Sequence, residues 1–195
     1  MKKITFTRHT ETRENRRCLL QGPDTGGFTK EGQIHLEKLK KRLAKQKFNA
    51  IYSSDMKRCT ETTHYLFGTN KKICFSPLLR EKNNGEYIGK EAKSIDWDCL
   101  SGSFETRKLP GGESLIDLKS RTIDFWNLVM NEKASDIMVV GHGAFLKVLF
   151  GTLMGKNLRQ SIFGLHVDHC SLTTVKIFPN KSVRFLSVND TAHLN

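Results

Sequence analysis

Apolar and polar positions alternate over residues 2–7 around Ile4 and Phe6, a period of two that predicts a strand. The alternation then stops. Residues 8–28 carry Gly22, Pro23, Gly26 and Gly27 and read as a long loop. Thr29 suits an N-cap, and Leu36, Leu39 and Leu43 recur behind it at helical spacing, predicting a helix to about Lys47. Residues 50–53 form a short strand, Ser54 is placed to cap the next helix, and Gly68 ends it. A third short strand covers 73–75. Residues 76–112 are mixed and broken by glycines, as in an insertion or lid. A helix follows over about 113–131, then a wholly apolar strand over 137–140, Gly141-His142-Gly143, and an apolar helix over 144–154. Residues 172–178 and 183–188 read as two strands joined by a turn at Pro179-Asn180-Lys181.

Strands that alternate with helices predict an α/β fold, a three-layer α/β/α sandwich with a largely parallel central sheet covered on both faces. Ligands of such sheets sit at the carboxyl ends of the strands. The polar residues directly after the strands therefore matter most: Arg8 and His9, the run 53–58 that ends in Arg58, and His142.

Composition narrows the class. With 195 residues, the chain reads as a single domain over 1–195 with the insertion at about 76–112. A net charge of +12 fits an anionic ligand without choosing among metabolite, nucleic acid and membrane surface. No apolar run is long enough to cross a bilayer, and the N-terminal apolar stretch is too short for a secretory signal, so a cytoplasmic location is expected. The cysteines Cys18, Cys59, Cys74, Cys99 and Cys170 are odd in number and form no CxxC pair, which argues against a disulfide framework or a zinc module. His166, His169 and Cys170 lie close in sequence, but strand alternation sends them to different sides, so no metal site is assigned to them. Lys38, Lys40, Lys41, Arg42, Lys45 and Lys47 form a basic helix face opposite the leucines. It reads as a solvated face, and without an accompanying motif or interleaved aromatics it does not make a nucleic-acid surface.

Two arginines and two histidines at strand ends suggest phosphoryl chemistry. Guanidinium groups match the spread negative charge of a phosphoryl group, and a neutral imidazole can attack phosphorus. The order of motifs adds to this. Arg8-His9-Thr10-Glu11-Thr12 with Asn15, then Gly27 to Gln33, Ser53-Ser54-Asp55-Met56-Lys57-Arg58, Leu79-Arg80-Glu81 with Gly85 and Gly89, Pro110-Gly111-Gly112-Glu113-Ser114, and Val139-Val140-Gly141-His142-Gly143 follow one another along nearly the whole chain. In that order they resemble the motifs of the histidine phosphatase superfamily, the phosphoglycerate-mutase-like proteins, and in particular its α-ribazole phosphatase and broad-specificity phosphatase branch.

The resemblance implies that His9 is the nucleophile and passes through a phosphohistidine. It implies that Arg8, Asn15, Arg58 and His142 bind the phosphoryl oxygens, with His142 also counted as catalytic, and that Glu81 is the acid that protonates the leaving oxygen and then the base that activates water. The implied activity is metal-independent hydrolysis of small phosphorylated metabolites, with no cofactor. The alternatives are a phosphoglycerate mutase and a catalytically weakened phosphate-binding protein. The second arises because Thr10 stands where the family carries glycine. A side chain there is expected to narrow the pocket floor, and a positive φ would strain it. The two arginines are expected to disfavour protonation of His9. Substrate identity and oligomeric state are not encoded in any motif.

Overall fold

The computed structural model describes residues 1–195. In chain order the elements are β1 (Lys2–Arg8), α1 (Arg13–Arg16), α2 (Lys30–Leu43), β2 (Ala50–Ser54), α3 (Lys57–Phe67), β3 (Cys74–Ser76), α4 (Leu115–Asn131), β4 (Asp136–Gly141), α5 (Gly143–Leu153), α6 (Leu158–Gly164), β5 (Leu172–Ile177) and β6 (Val183–Asp190). They build one six-stranded sheet in the order β3-β2-β4-β1-β5-β6. The β1–β4, β2–β4 and β2–β3 pairs are parallel, whereas β5 runs antiparallel to both β1 and β6.

The three layers follow from strand alternation. In β4, Ile137 and Val139 face a core shared with Phe125 and Val129 of α4 and with Phe145 and Leu149 of α5. Met138 and Val140 face the other way, against Leu36, Leu39 and Leu43 of α2 and Cys59 and Leu66 of α3. Because β4 is covered on both faces, its sequence is a continuous apolar run rather than an alternating one.

The boundaries depart from expectation in instructive ways. Helix α2 ends at Leu43 instead of continuing to Lys47, because Leu43 is its last buried position and Ala44 to Lys47 are all exposed. Its basic face is largely spent on local contacts: Lys38 Nζ donates to the Leu194 carbonyl, Arg42 pairs with Asp190, Lys41 pairs with Glu37, and Lys40 lies over the Tyr65 ring. Ser54 does not cap α3. It is the last residue of β2, the N-cap position falls to Met56, and the Ser54 hydroxyl turns into the site instead. Glu113 lies outside α4, which starts at Leu115 behind a capping box of Ser114 and Asp117.

Two helices form where none is predicted. α1 sits in the expected loop, capped by a reciprocal Thr12–Asn15 box, and α6 is capped by Asn157 and Gln160 in the same way. Both are too short to show a period, so the capping residues are their only sequence signal.

The segment after β3 contains three short 3₁₀ turns, Pro77–Leu79, Gly85–Tyr87 and Ala92–Ser94, and no α-helix. It is tied to the loop after α1 by main-chain bonds from Gly89 to the Leu20 carbonyl, from Leu20 to the Lys90 carbonyl and from Ala92 to the Cys18 carbonyl. These bonds close one side of the crevice above the sheet.

α6 packs close on α5 because Gly151 carries no side chain: a Cβ there would overlap the Ser161 Oγ. Gly151→Ala is therefore expected to destabilise the protein by about 1–3 kcal/mol through overpacking, read as a lower denaturant midpoint with an unchanged m-value.

Candidate active site

Parallel pairing of β1 with β4 sets Arg8 opposite Gly141, so the residues that follow each strand emerge side by side. His9 donates its main-chain N–H to the Gly141 carbonyl at 3.0 Å. The His9 and His142 rings stand 5.2 Å apart between centroids at an edge-on angle of 63°. Arg58 arrives from the first turn of α3, and Glu81 from the turn after β3.

His9 is 2% exposed. Its Nδ1 lies 2.7 Å from the Thr10 carbonyl, a contact that requires a proton on Nδ1 and so leaves the lone pair on Nε2. Burial is the largest cause holding the His9 pKa well below its ordinary value, and Arg58, His142, Arg8 and His169 add to it in that order. The arginines expected to keep this ring neutral therefore act second to desolvation. His142 is depressed in the same way, by burial first and then by Arg58 and Arg8. Its Nε2 lies 2.8 Å from the Ser54 hydroxyl.

Arg58, only 1% exposed, donates through Nη1 to the Gly22 carbonyl at 2.9 Å, and Arg8 donates through Nη1 to the Val167 carbonyl at 3.0 Å. The Nε atoms of both arginines are buried without a partner. Gly143 makes room for Arg8, since a Cβ at that position would lie 3.3 Å from the guanidinium carbon. Burial lowers both arginine pKa values from their ordinary range, yet guanidinium stays charged in proteins. The site thus holds two desolvated cations whose hydrogen-bonding capacity is incompletely used.

Glu81 closes the opposite side. Its carboxylate accepts from the N–H groups of Ala144 at 3.1 Å, Phe145 at 3.2 Å and Lys82 at 3.0 Å, anchoring both oxygens at the N-terminus of α5. Asn15 uses Oδ1 in the α1 capping box, accepting from the Thr12 N–H at 3.2 Å, which leaves its amide NH₂ as the group available to a ligand.

A cavity of about 270 Å³ lies over these groups. Five of the six predicted site residues, Arg8, His9, Asn15, Arg58 and Glu81, line it; His142 stands beside His9 but behind the cavity wall. Two further residues belong to this neighbourhood. Lys82 lines the cavity, its ammonium is buried without a partner, and burial lowers its pKa. His169, set aside in the sequence with its neighbours, packs 5.5 Å from the His9 ring with a buried, unpartnered Nε2. His169 is paired with Arg8 by an isolated parallel bridge, and only the sheet reveals this proximity. Adjacency to Glu81 was the sole signal available for Lys82.

Thr10 behaves differently from expectation. It lacks a positive φ, and its hydroxyl donates to the Gly32 carbonyl at 2.6 Å, in α2, rather than entering the cavity. Gly32 is its complement: a Cβ there would approach Thr10 Oγ1 to 3.1 Å and the Glu11 carbonyl to 2.5 Å. Cys59 is fully buried, and burial raises its thiol pKa, so it packs as a neutral thiol beside His142. His166 is exposed and Cys170 faces the α2 core, so neither joins His169 in a cluster.

A mostly parallel α/β sheet with a buried histidine, two desolvated guanidiniums and a carboxylate at its strand ends defines a phosphoryl-handling enzyme. The chain belongs to the histidine phosphatase superfamily (branch 1), whose family model matches residues 4–191, and it is a phosphatase of that kind. Among its relatives is a putative phosphoserine phosphatase 2 of Hydrogenobacter thermophilus, 27% identical over 192 residues that cover 93% of each chain. The fold superposes on the α-ribazole phosphatase of Shigella flexneri with a TM-score of 0.86 at 18% identity, covering 96% of each chain. It also superposes on the phosphoserine phosphatase of Entamoeba histolytica, solved in complex with 3-phosphoglyceric acid, with a TM-score of 0.85 at 24% identity over the whole of both chains. No helix is long and apolar enough to cross a membrane.

The depressed histidines set the sign of the pH dependence. In the unfolded chain these rings take up protons below about pH 6.5, whereas buried His9 and His142 stay neutral, as does His169 with its pKa lowered to about 3. The unfolded state then binds more protons, so stability is full above the unfolded pKa and falls as pH drops below it, by about 1.4 kcal/mol per pH unit for each such ring. Denaturant titrations from pH 7 to 5 should show this loss, with a shallower slope for His169→Asn. A flat profile would mean that these rings protonate freely in the folded protein.

Proposed function

We propose that this chain is a metal-independent phosphomonoesterase that hydrolyses small phosphorylated metabolites through a phosphohistidine at His9. The observation that carries the reading is the His9 ring itself. It is neutral, held by Nδ1 to the Thr10 carbonyl with the Nε2 lone pair unused, on the wall of a cavity that also holds two under-bonded guanidiniums.

In the first step His9 Nε2 attacks phosphorus and the N–P bond forms. The P–O bond to the leaving group breaks as Glu81 delivers its proton to that oxygen. In the second step water attacks phosphorus while Glu81 takes the water's proton, the N–P bond breaks, and its electron pair returns to Nε2. The Arg8 and Arg58 guanidiniums meet the charge on the equatorial oxygens, and the Asn15 amide adds a neutral donor. His142 packs edge-on against the His9 ring from behind the cavity wall, and a shift of its ring toward the cavity would let it bind a phosphoryl oxygen. A low-dielectric site makes each of these contacts worth more than it is in water. Because Thr10 is unstrained and directed at Gly32, it supplies no reason for a disabled pocket. The reading takes residues 1–195 as one domain in which 76–112 covers the crevice. A cytoplasmic setting accords with five unpaired cysteines.

Hydrolysis of p-nitrophenyl phosphate should survive EDTA. It should fall by at least about 1,000-fold in His9→Ala and by about 100- to 10,000-fold in Glu81→Gln. Rapid quench should trap an acid-labile phosphoenzyme. Loss of activity in EDTA, or its persistence in His9→Ala, would sink this mechanism. With 3-phosphoglycerate, release of inorganic phosphate rather than its isomer separates hydrolysis from mutase chemistry.

A further inference from the structure

A polar cleft of about 440 Å³ adjoins the phosphate cavity, and Gln21, Glu81 and Lys82 line both. Two arginines stand in its wall, but neither is free to hold a ligand. Arg80 forms a two-point pair with Asp55 at 2.8 and 2.6 Å. Arg121, in the second turn of α4, has all five of its N–H donors engaged. Nε and Nη2 donate to the Glu113 carboxylate at 3.1 and 2.8 Å. Nη1 donates to the carbonyls of Leu78 at 2.9 Å and Arg80 at 2.7 Å, and Nη2 also donates to the Glu81 carbonyl at 3.3 Å. Arg8 and Arg58, by contrast, keep their Nε atoms unpartnered.

The bonds of Arg121 fall on chain that neither the sheet nor a helix supports. Residues 78–83 pass through the end of a 3₁₀ turn into irregular structure, where main-chain carbonyls lack the partners that a regular element supplies. Leu79 anchors this stretch in the core, but the Glu81 N–H meets only the Met56 Sδ at 3.4 Å. Arg121 bonds three of its carbonyls at once. Glu113 fastens the next residue pair as well, accepting from the Asn83 N–H at 3.0 Å and donating its own N–H to the Asn83 carbonyl at 2.9 Å. The two ends of Glu81 are thus held by different helices. Its carboxylate rests on the N–H groups of Ala144 and Phe145 in α5, and its main chain is clasped from α4. The Arg121 guanidinium lies 5.9 Å from the centre of the Phe145 ring, so the two anchors adjoin.

We propose that Arg121, locked by Glu113, is a positioning residue for Glu81: its five-bonded guanidinium fixes the turn at residues 78–81 so that the carboxyl group meets the leaving oxygen. Arg121 touches no substrate, since it has no donor left to offer. The proposal rests on the phosphatase reading for its catalytic meaning, but the placement of the carboxylate does not depend on turnover. Proton transfer to the leaving oxygen needs hydrogen-bond contact, so a small displacement of the turn weakens it while the phosphate groups at Arg8 and Arg58 stay in place.

The test is kcat/KM across leaving groups, with p-nitrophenyl phosphate, phenyl phosphate and β-glycerophosphate, for the wild type, Arg121→Met and Arg121→Lys. This constant spans the steps up to departure of the alcohol, in which Glu81 is the acid; p-nitrophenoxide leaves with little help from a proton, whereas an alkoxide needs one. Arg121→Met should lower kcat/KM by no more than about threefold for p-nitrophenyl phosphate and on the order of 100-fold for β-glycerophosphate. Arg121→Lys keeps the charge beside Glu113 but lacks the fork that spans three carbonyls, so it should show the same trend at smaller size, and it decides the matter if Arg121→Met does not fold. A merely destabilised protein loses the same factor for every ester; such a uniform loss, or none, would overturn the assignment. A second readout needs no turnover. In nitrogen–proton correlation spectra the Ala144 and Phe145 amide signals should move in Arg121→Lys toward their positions in Glu81→Ala, and unmoved signals would overturn the assignment too. Moved signals in a protein that hydrolyses no phosphomonoester would uphold the positioning and defeat the phosphatase reading instead.

Discussion

The parallel ladder between β1 and β4 is the constraint on which the site depends. It aligns Arg8 with Gly141 and so brings His9 and His142, separated by most of the chain, to adjoining ring edges. A slip of one residue would turn Ile4 and Phe6 out of the core and carry His9 to the opposite face. Packing of Ile137, Val139, Phe125 and Phe145 on one side and Met138, Val140 and Leu39 on the other resists that slip. Stability and catalytic geometry are therefore enforced by the same register.

Desolvation is the second consequence of that register. Two guanidiniums are held away from water with a carbonyl for one nitrogen each and no partner at Nε. Burying a charge this way is unfavourable unless it is paired, and no carboxylate bonds to either arginine. An anion with several acceptor oxygens would complete their hydrogen bonding. The same burial holds the pKa values of the neighbouring imidazoles well below the ordinary value, so a single physical cause leaves the guanidiniums short of acceptors and the rings neutral.

The surroundings of the phosphate cavity are asymmetric. On one side, ion pairs between Arg80 and Asp55 and between Arg121 and Glu113 close the charge balance of the polar cleft. On the other, aromatic side chains of the 3₁₀-turn segment and α6 meet under carboxylate-free arginines. Lys82 stands where these spaces join.

The layers and most of the side chains that gather at the cavity are legible in the chain's own pattern. Period-two and period-3.6 patterns show which face of each element is buried, and Arg8, His9, Arg58 and His142 follow apolar runs closely enough to be placed at strand or helix ends. Asn15 and Glu81 were legible through motif order. The tertiary structure alone decided the rest. Periodicity does not say which strand lies next to which, so the antiparallel β5 beside β1 and the contact of His169 with His9 were invisible, as was Thr10 meeting Gly32. Short elements such as α1 and α6 show no period. The strength of desolvation at His9, and the convergence of Lys82 with aromatic side chains from distant segments, depend on everything packed around them, which a linear pattern does not contain.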